Sequence, residues 1–305
     1  MKPSGRKIAP RICCTDVNRH KPLLPLLAIL LAMACFQTGA AAAKQLYPAI
    51  GPIGTASLRL LLGGIILLVL VRPWRYWPTN PPLLPLVGLG ACMGATLLCF
   101  YLAIEHLPLG VALSIQIMGP LLVAIFSSSR ALDLLWVALA GAGIWCLLGV
   151  SASGLSVPPM GLAYGLIAAA GWAGYILFGR IVEPAFGKGT AALAVSVAAL
   201  LVFPVGLAKV GTALFAPALL PLALLVALLS AAIPFSLELF AMPRLPARTF
   251  AVSMSLEPAF AVLAGLIFLR EHLTWLQMAG ILLVIGASAG SVLSAGAARK
   301  DFVPE

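Results

Sequence analysis

Charge is scarce in this chain: 9% of its 305 residues are Asp, Glu, Lys or Arg, against roughly 25% in a soluble domain, whose surface must face water. That shortage excludes an ordinary soluble fold. The six cysteines, Cys13, Cys14, Cys35, Cys92, Cys99 and Cys146, form no CxxC pair, and the three histidines, His20, His106 and His272, all fall near the ends of apolar segments. Neither set has the spacing of a metal site, so no metal is expected. A Walker loop, a GxGxxG turn and an HExxH pair are all missing, and no polar loop exceeds about ten residues. Nucleotide-driven chemistry and an exposed catalytic domain are thereby excluded, and no cofactor is expected. An intramembrane enzyme would need catalytic groups clustered near one interface, and no pair of His, Asp or Cys supplies them.

What the chain has is apolar length. Hydrophobic residues make up 62% of it and the mean hydropathy is +1.10. Ten spans can be drawn, at 22–44, 52–71, 83–104, 109–129, 133–150, 160–182, 190–208, 218–241, 248–269 and 275–295. Each is long enough for a hydrocarbon core of about 30 Å at 1.5 Å per residue. Lys and Arg between these spans divide fifteen to three, with Lys44, Lys209 and Arg270 on the poorer side and Arg59 within a span. Positive charge marks the cytoplasmic face, so both termini are expected there. The net charge of +10 then reads as topology and attraction to the lipid bilayer, not as a nucleic-acid surface. The apolar stretch after residue 21 is too long for a cleaved leader, and residues 1–21 are read as a cytoplasmic tail, with 296–305 as a second.

The spans carry an internal repeat. Leu107-Pro108, Gly119-Pro120 and Asp133 recur as Leu245-Pro246, Glu257-Pro258 and Glu271 at an offset of 138, while Lys44 and Pro48 match Arg180 and Pro184 at 136. The copies, 22–150 and 160–295, hold five spans each. Five is odd, so the second copy enters the membrane from the opposite side. The expected fold is all-α: a polytopic membrane protein of ten transmembrane helices built from two inverted five-helix repeats. That is an architecture of secondary transporters, with the binding site at the repeat interface.

Several in-span residues depart from the apolar background. Gly90-x-x-x-Gly94, Gly161-x-x-x-Gly165 and Gly286-x-x-x-Gly290 read as close-packing surfaces. Pro120 and Pro258 stand at matched positions and Pro234 lies inside the eighth span. Each removes a helix hydrogen bond, which marks either a packing kink or an interrupted helix beside a cavity. Arg59 and Glu257 are charges inside spans, costly unless they face protein or water. Arg59 lies roughly 10 Å below one edge at 1.5 Å per residue, and Glu257 about 6 Å deeper. Gln37 and Gln116 fall in the same layer. Two readings stay open: an Arg59–Glu257 salt bridge that locks the bundle, or the polar floor of a substrate cavity. Glu238 is expected to pair with Arg244 or Arg248 at the interface. Trp172 and Tyr175, mid-way along the sixth span, are candidates for a cavity wall; Tyr101 and Tyr164 are expected in the interfacial aromatic belt.

The duplicated unit, Ser255-Leu256-Glu257-Pro258-Ala259 and Gly265-x-x-Phe268-Leu269-Arg270-Glu271 together resemble the EamA-type ten-span members of the drug/metabolite transporter superfamily. Leu107-Pro-Leu-Gly-Val-Ala, Gly119-Pro120-Leu-x-Val-Ala-x-Phe126-Ser-Ser and Leu245-Pro-x-Arg248-Thr-Phe250 are most similar to the bacterial threonine and homoserine exporters. The resemblance implies a transporter and no enzyme: export of a small hydrophilic metabolite, an amino acid such as threonine or homoserine, by alternating access with the proton as coupling ion. In that picture Arg59 holds the cargo's carboxylate or balances Glu257, Glu257 meets its ammonium or takes a proton, and Gln37 and Gln116 orient it. Gln116 stands where those exporters are expected to carry a carboxylate. Another cargo, such as a drug-like cation, and the uptake direction remain alternatives within the same fold.

Overall fold

The structure, a computed structural model, describes residues 23–126, 131–148, 157–241, 244–245 and 253–298. The expected N-terminal tail, most of the C-terminal tail and Arg248 lie outside the described residues. Every regular element among the described residues is helical, as expected for the class. The helices are α1 (Leu23–Ala43), α2 (Tyr47–Val71), α3 (Leu83–His106), α4 (Leu109–Gln116), α5 (Met118–Phe126), α6 (Ala131–Leu148), α7 (Pro159–Phe186), α8 (Thr190–Val210), α9 (Leu220–Ala227), α10 (Ile233–Ala241), α11 (Glu257–Phe268) and α12 (Trp275–Ala298). Helices suit apolar sequence because each one satisfies its backbone polar groups internally. Among the described residues, four stretches are long and apolar enough to cross a bilayer: Leu23–Val71, Leu83–His106, Pro159–Phe215 and Pro217–Glu238. The outer surface is apolar too: Leu84, Leu200 and Leu282 are 83%, 74% and 66% exposed.

Proline and glycine place the irregularities. In α2 the chain kinks at Gly51, whose φ of 63° is readily reached only without a Cβ, directly before Pro52. The fourth expected span is two helices, α4 and α5, broken at Ile117, three residues before Pro120. The ninth has its own break, a turn at Ser255–Leu256 directly before Glu257-Pro258 opens α11. These breaks occupy equivalent points of the two sequence repeats. Between α9 and α10 the helix widens into a π segment, Leu228–Ala232, two residues ahead of Pro234. Such one-turn bulges cluster at functional sites.

Helix contacts are set by small residues. The helix α3 runs along α7 and also touches α8; α2 lies on α8, α6 on α12, and α4 on α11. Helix α1 packs against α10, the π segment and α11, while α4 and α5 both meet α7. A Cβ on Gly90 would strike Val197 of α8, and one on Gly161 would come 2.7 Å from Leu107. At Gly119 it would overlap the backbone carbonyl of Ala169 on α7. At Gly286 it would meet nothing within 4 Å among the described residues, where the motif implied close packing. Because lipid tails are as apolar as the helices, such close approach is what drives association. Gly119→Ala is therefore expected to lower stability by about 1–3 kcal/mol, the usual range for overpacking. Gly286→Ala should match the parent or exceed it slightly; thermal unfolding of the two detergent-purified variants checks the contrast.

Candidate functional site

A cavity of about 250 Å³ opens among α1, α3, α4, α7, α10 and α11. Gln116, Trp172, Tyr175, Pro234 and Glu257 line it, as do Thr96 and Glu238, and the remaining wall is Met33, Phe36, Met93, Leu97, Phe100, Leu113 and Met254. Three broken helices meet here. Gln116 is the last residue of α4, Glu257 the first of α11, and Pro234 follows the π segment. Pro120 and Pro258 stand just beyond the first two breaks.

The carboxylate of Glu257 is 7% exposed. The side-chain amide of Gln37, from α1, donates to its Oε1 at 3.0 Å. Its place at a helix N-terminus, where unpaired N–H groups gather, adds favourable field for an anion. Two further acceptors are buried in the bundle, Gln116 within the cavity lining and Gln37 outside it. The amide oxygens of Gln37 and Gln116 are buried and have no hydrogen-bond partner among the described residues. A buried acceptor left unpaired costs about 1–3 kcal/mol, which a donor-rich cargo would recover. The donors in the wall are the Gln116 amide, the indole N–H of Trp172 and the Tyr175 hydroxyl. The hydroxyl of Thr96 is occupied on the Cys92 carbonyl at 2.7 Å.

Arg59 is in neither expected arrangement. It is 4% exposed and sits behind the wall, with its guanidinium carbon 4.9 Å from the Phe36 ring centroid and 5.4 Å from that of Tyr101. Its Nη1 donates to the Tyr101 hydroxyl at 3.1 Å and its Nη2 to the Ser230 carbonyl at 3.3 Å. Pro234 explains the second bond, because it has no N–H to offer the carbonyl four residues back. Arg59 thus serves the irregular turn of the π segment. Among the described residues, the only ion pair is Lys44–Glu271, so the Arg59–Glu257 bridge is not formed.

Two other expectations are corrected. Tyr101 is not a belt residue: it is fully buried, and its ring and hydroxyl both engage Arg59. Glu238 lines the cavity instead of pairing with Arg244, whose Nη1 donates to the Phe240 carbonyl at 2.6 Å while its guanidinium stacks on the Phe240 ring. Its placement three residues from a span end gave no signal of this.

A second polar cluster ties the bundle at the Lys44 end. Glu271 accepts from Lys44 Nζ at 3.1 Å and from the Leu109 backbone N–H at 2.8 Å. It therefore caps α4 while holding the end of α1, and Gly265 leaves room for its carboxylate. Glu271→Gln keeps an acceptor for Leu109 and loses the charge facing Lys44, whereas Glu271→Ala loses both. Thermal stability is expected to fall in that order, by about 1–3 kcal/mol for the alanine, as melting curves would measure.

Comparison with known proteins gives a consistent result. Residues 159–293 match the EamA-like transporter family. The threonine/homoserine exporters RhtA of Salmonella typhimurium (strain LT2) and Escherichia coli (strain K12) are each 44% identical to this chain over 271 residues, covering 89% of it and 92% of the relative. A solved crystal structure, at 19% identity, superposes with a TM-score of 0.58 over 90% of this chain and 98% of its own, which supports the fold alone.

Proposed function

This chain belongs to the EamA-like transporter family, polytopic membrane proteins of the drug/metabolite transporter superfamily and not enzymes, and from that premise we propose that it exports a small amino acid. The cargo in this reading is of the threonine or homoserine type, the route runs outward across a bacterial inner membrane with both termini in the cytoplasm, and proton entry drives it. The observation that carries the cargo class is the pair of acceptors on the cavity wall: Glu257 and the unpartnered amide oxygen of Gln116 suit the N–H bonds of an ammonium, with Gln37 bonded to Glu257 from outside the lining. The carboxylate at the other end of the amino acid is taken by Gln116, Trp172 and Tyr175. Arg59 acts at one remove, by fixing Phe36, Tyr101 and the π segment.

Alternating access follows from treating 22–150 and 160–295 as inverted repeats. Exchanging the two five-span sets turns the α3–α7 pairing into that of α1 with the π segment and α10, and the α4/α5–α7 pairing into α1–α11. The pairs α2–α8, α4–α11 and α6–α12 map onto themselves. Rocking one set against the other would open the cavity to each side in turn, with Pro120, Pro234 and Pro258 marking where helices can bend. The lining also favours a second reading, a cationic cargo, since it offers two carboxylates and, among the described residues, no basic side chain.

Efflux of a labelled amino-acid panel from expressing cells, with and without a proton uncoupler, tests the proposal. Faster threonine or homoserine release that the uncoupler abolishes supports it. Unchanged amino-acid release, with faster release of an organic cation, would replace it with the second reading.

A further inference from the structure

We propose that Glu238 is the proton-coupling residue of the cycle, and that its protonation and cargo binding at Glu257 oppose one another across the shared cavity. The inference rests on the exporter reading and deepens it.

The two carboxylates line one space of about 250 Å³ but live in different surroundings. Glu257 has a donor in Gln37 at 3.0 Å and the N-terminus of a twelve-residue helix beneath it. Both favour the anion. Glu238 lies one turn from the C-terminal end of α10, where unpaired carbonyls disfavour an anion. Among the described residues it has no hydrogen bond and no ion pair, and the nearest cation along the chain, Arg244, is engaged on Phe240. The titratable groups on the elements around it are Cys35 of α1, Tyr47 and Arg59 of α2, Cys92, Cys99, Tyr101, Glu105 and His106 of α3, Tyr164, Tyr175, Arg180 and Glu183 of α7, and Glu257 of α11. Arg180 and Glu183 are exposed, and Arg59 is turned onto Tyr101 and Ser230. Among the described residues no cation therefore faces Glu238, while a second carboxylate, Glu257, lines the same cavity.

Charge counting gives the coupling. Among the described residues, Arg59 is the one basic side chain near the cavity, and its single charge, held over Phe36 and in no ion pair, can offset at most one carboxylate. The other needs either the ammonium of a cargo or a proton. That a ligand belongs here is shown independently by Gln116, 6% exposed, in the wall, with an amide oxygen lacking any partner. A proton on Glu238 removes part of the negative field that draws an ammonium toward Glu257. By linkage, a bound ammonium lowers the affinity of Glu238 for protons to the same degree. The proton enters from outside as cargo leaves, then departs to the cytoplasm as new cargo loads. Nothing covalent is needed.

Two measurements on the full-length protein in proteoliposomes separate this role from a structural one. Labelled threonine exchange at equal pH reads binding and conformational cycling. Accumulation under an imposed pH gradient reads coupling, worth about tenfold per pH unit for one proton exchanged. Glu238→Gln is expected to keep exchange within a few-fold and to lose gradient-driven accumulation, with a pH-independent KM. Glu238→Asp should restore accumulation. Full accumulation by Glu238→Gln, or loss of exchange together with accumulation, would overturn the proposal while wild-type exchange kept the exporter reading intact. Absence of threonine, homoserine or any other amino-acid exchange in the wild type would overturn both.

Discussion

Glu257→Gln is expected to cut amino-acid exchange about a hundredfold while leaving the protein folded. The change is close to isosteric, and the Gln37 amide can still donate to the new side-chain oxygen, so the local hydrogen bond survives. What disappears is the negative charge that meets the cargo's ammonium in a desolvated site. Losing one partner of a buried, hydrogen-bonded charge pair costs about 2–5 kcal/mol, and a loss of about 3 kcal/mol is roughly a hundredfold in affinity. Thermal stability should stay equal or rise, since an intramembrane charge has been removed. A variant that exchanges threonine at the parental rate would mean the cargo's ammonium sits elsewhere.

The second large effect is expected at Arg59, and it is structural. Arg59→Leu leaves the Tyr101 hydroxyl and the Ser230 carbonyl, both buried, without their partner. Each unpaired group costs about 1–3 kcal/mol, and the lost contacts over the Phe36 and Tyr101 rings add to that. A drop of about 3–5 kcal/mol, seen as a large loss of folded protein and a lowered melting temperature, is the expected outcome. Arg59→Lys should lie between, because the ammonium keeps the charge but lacks the fork that reaches both acceptors. A direct carboxylate ligand would behave in the opposite way: normal melting for both variants, with the substrate KM raised in each.

The contrast between Arg59 and Glu257 shows what was legible in the chain. Their depth in the membrane could be counted from span ends, because rise per residue is fixed. The direction each side chain takes around its helix could not, since it depends on which neighbour packs where. Depth therefore placed Gln37, Arg59, Gln116 and Glu257 in one layer, while packing put Arg59 behind Phe36 and gave Gln37 to Glu257. The helix breaks were announced by Pro120 and Pro258, whose missing N–H leaves a sequence mark. The π segment at Leu228–Ala232 has no such mark beyond the Pro234 that follows it. The position of Glu238 near a span end points to an interfacial ion pair with Arg244 or Arg248, and only the structure shows Arg244 committed to Phe240 and Glu238 in the cavity wall. Tyr101 was placed in the belt for the same reason, by position along the span. Glu271 was recognised as the repeat partner of Asp133, yet its bonds to Lys44 and Leu109 join segments far apart in sequence and could not be read from spacing.

The measurement that bears most directly on the central claim is counterflow in proteoliposomes holding the purified protein, loaded with unlabelled threonine or homoserine and offered labelled threonine outside. The account predicts a transient internal excess of label that requires the protein, is blocked by an excess of homoserine, and is lost in Glu257→Gln. Equal label in loaded and empty vesicles, or counterflow that Glu257→Gln leaves untouched, would contradict it.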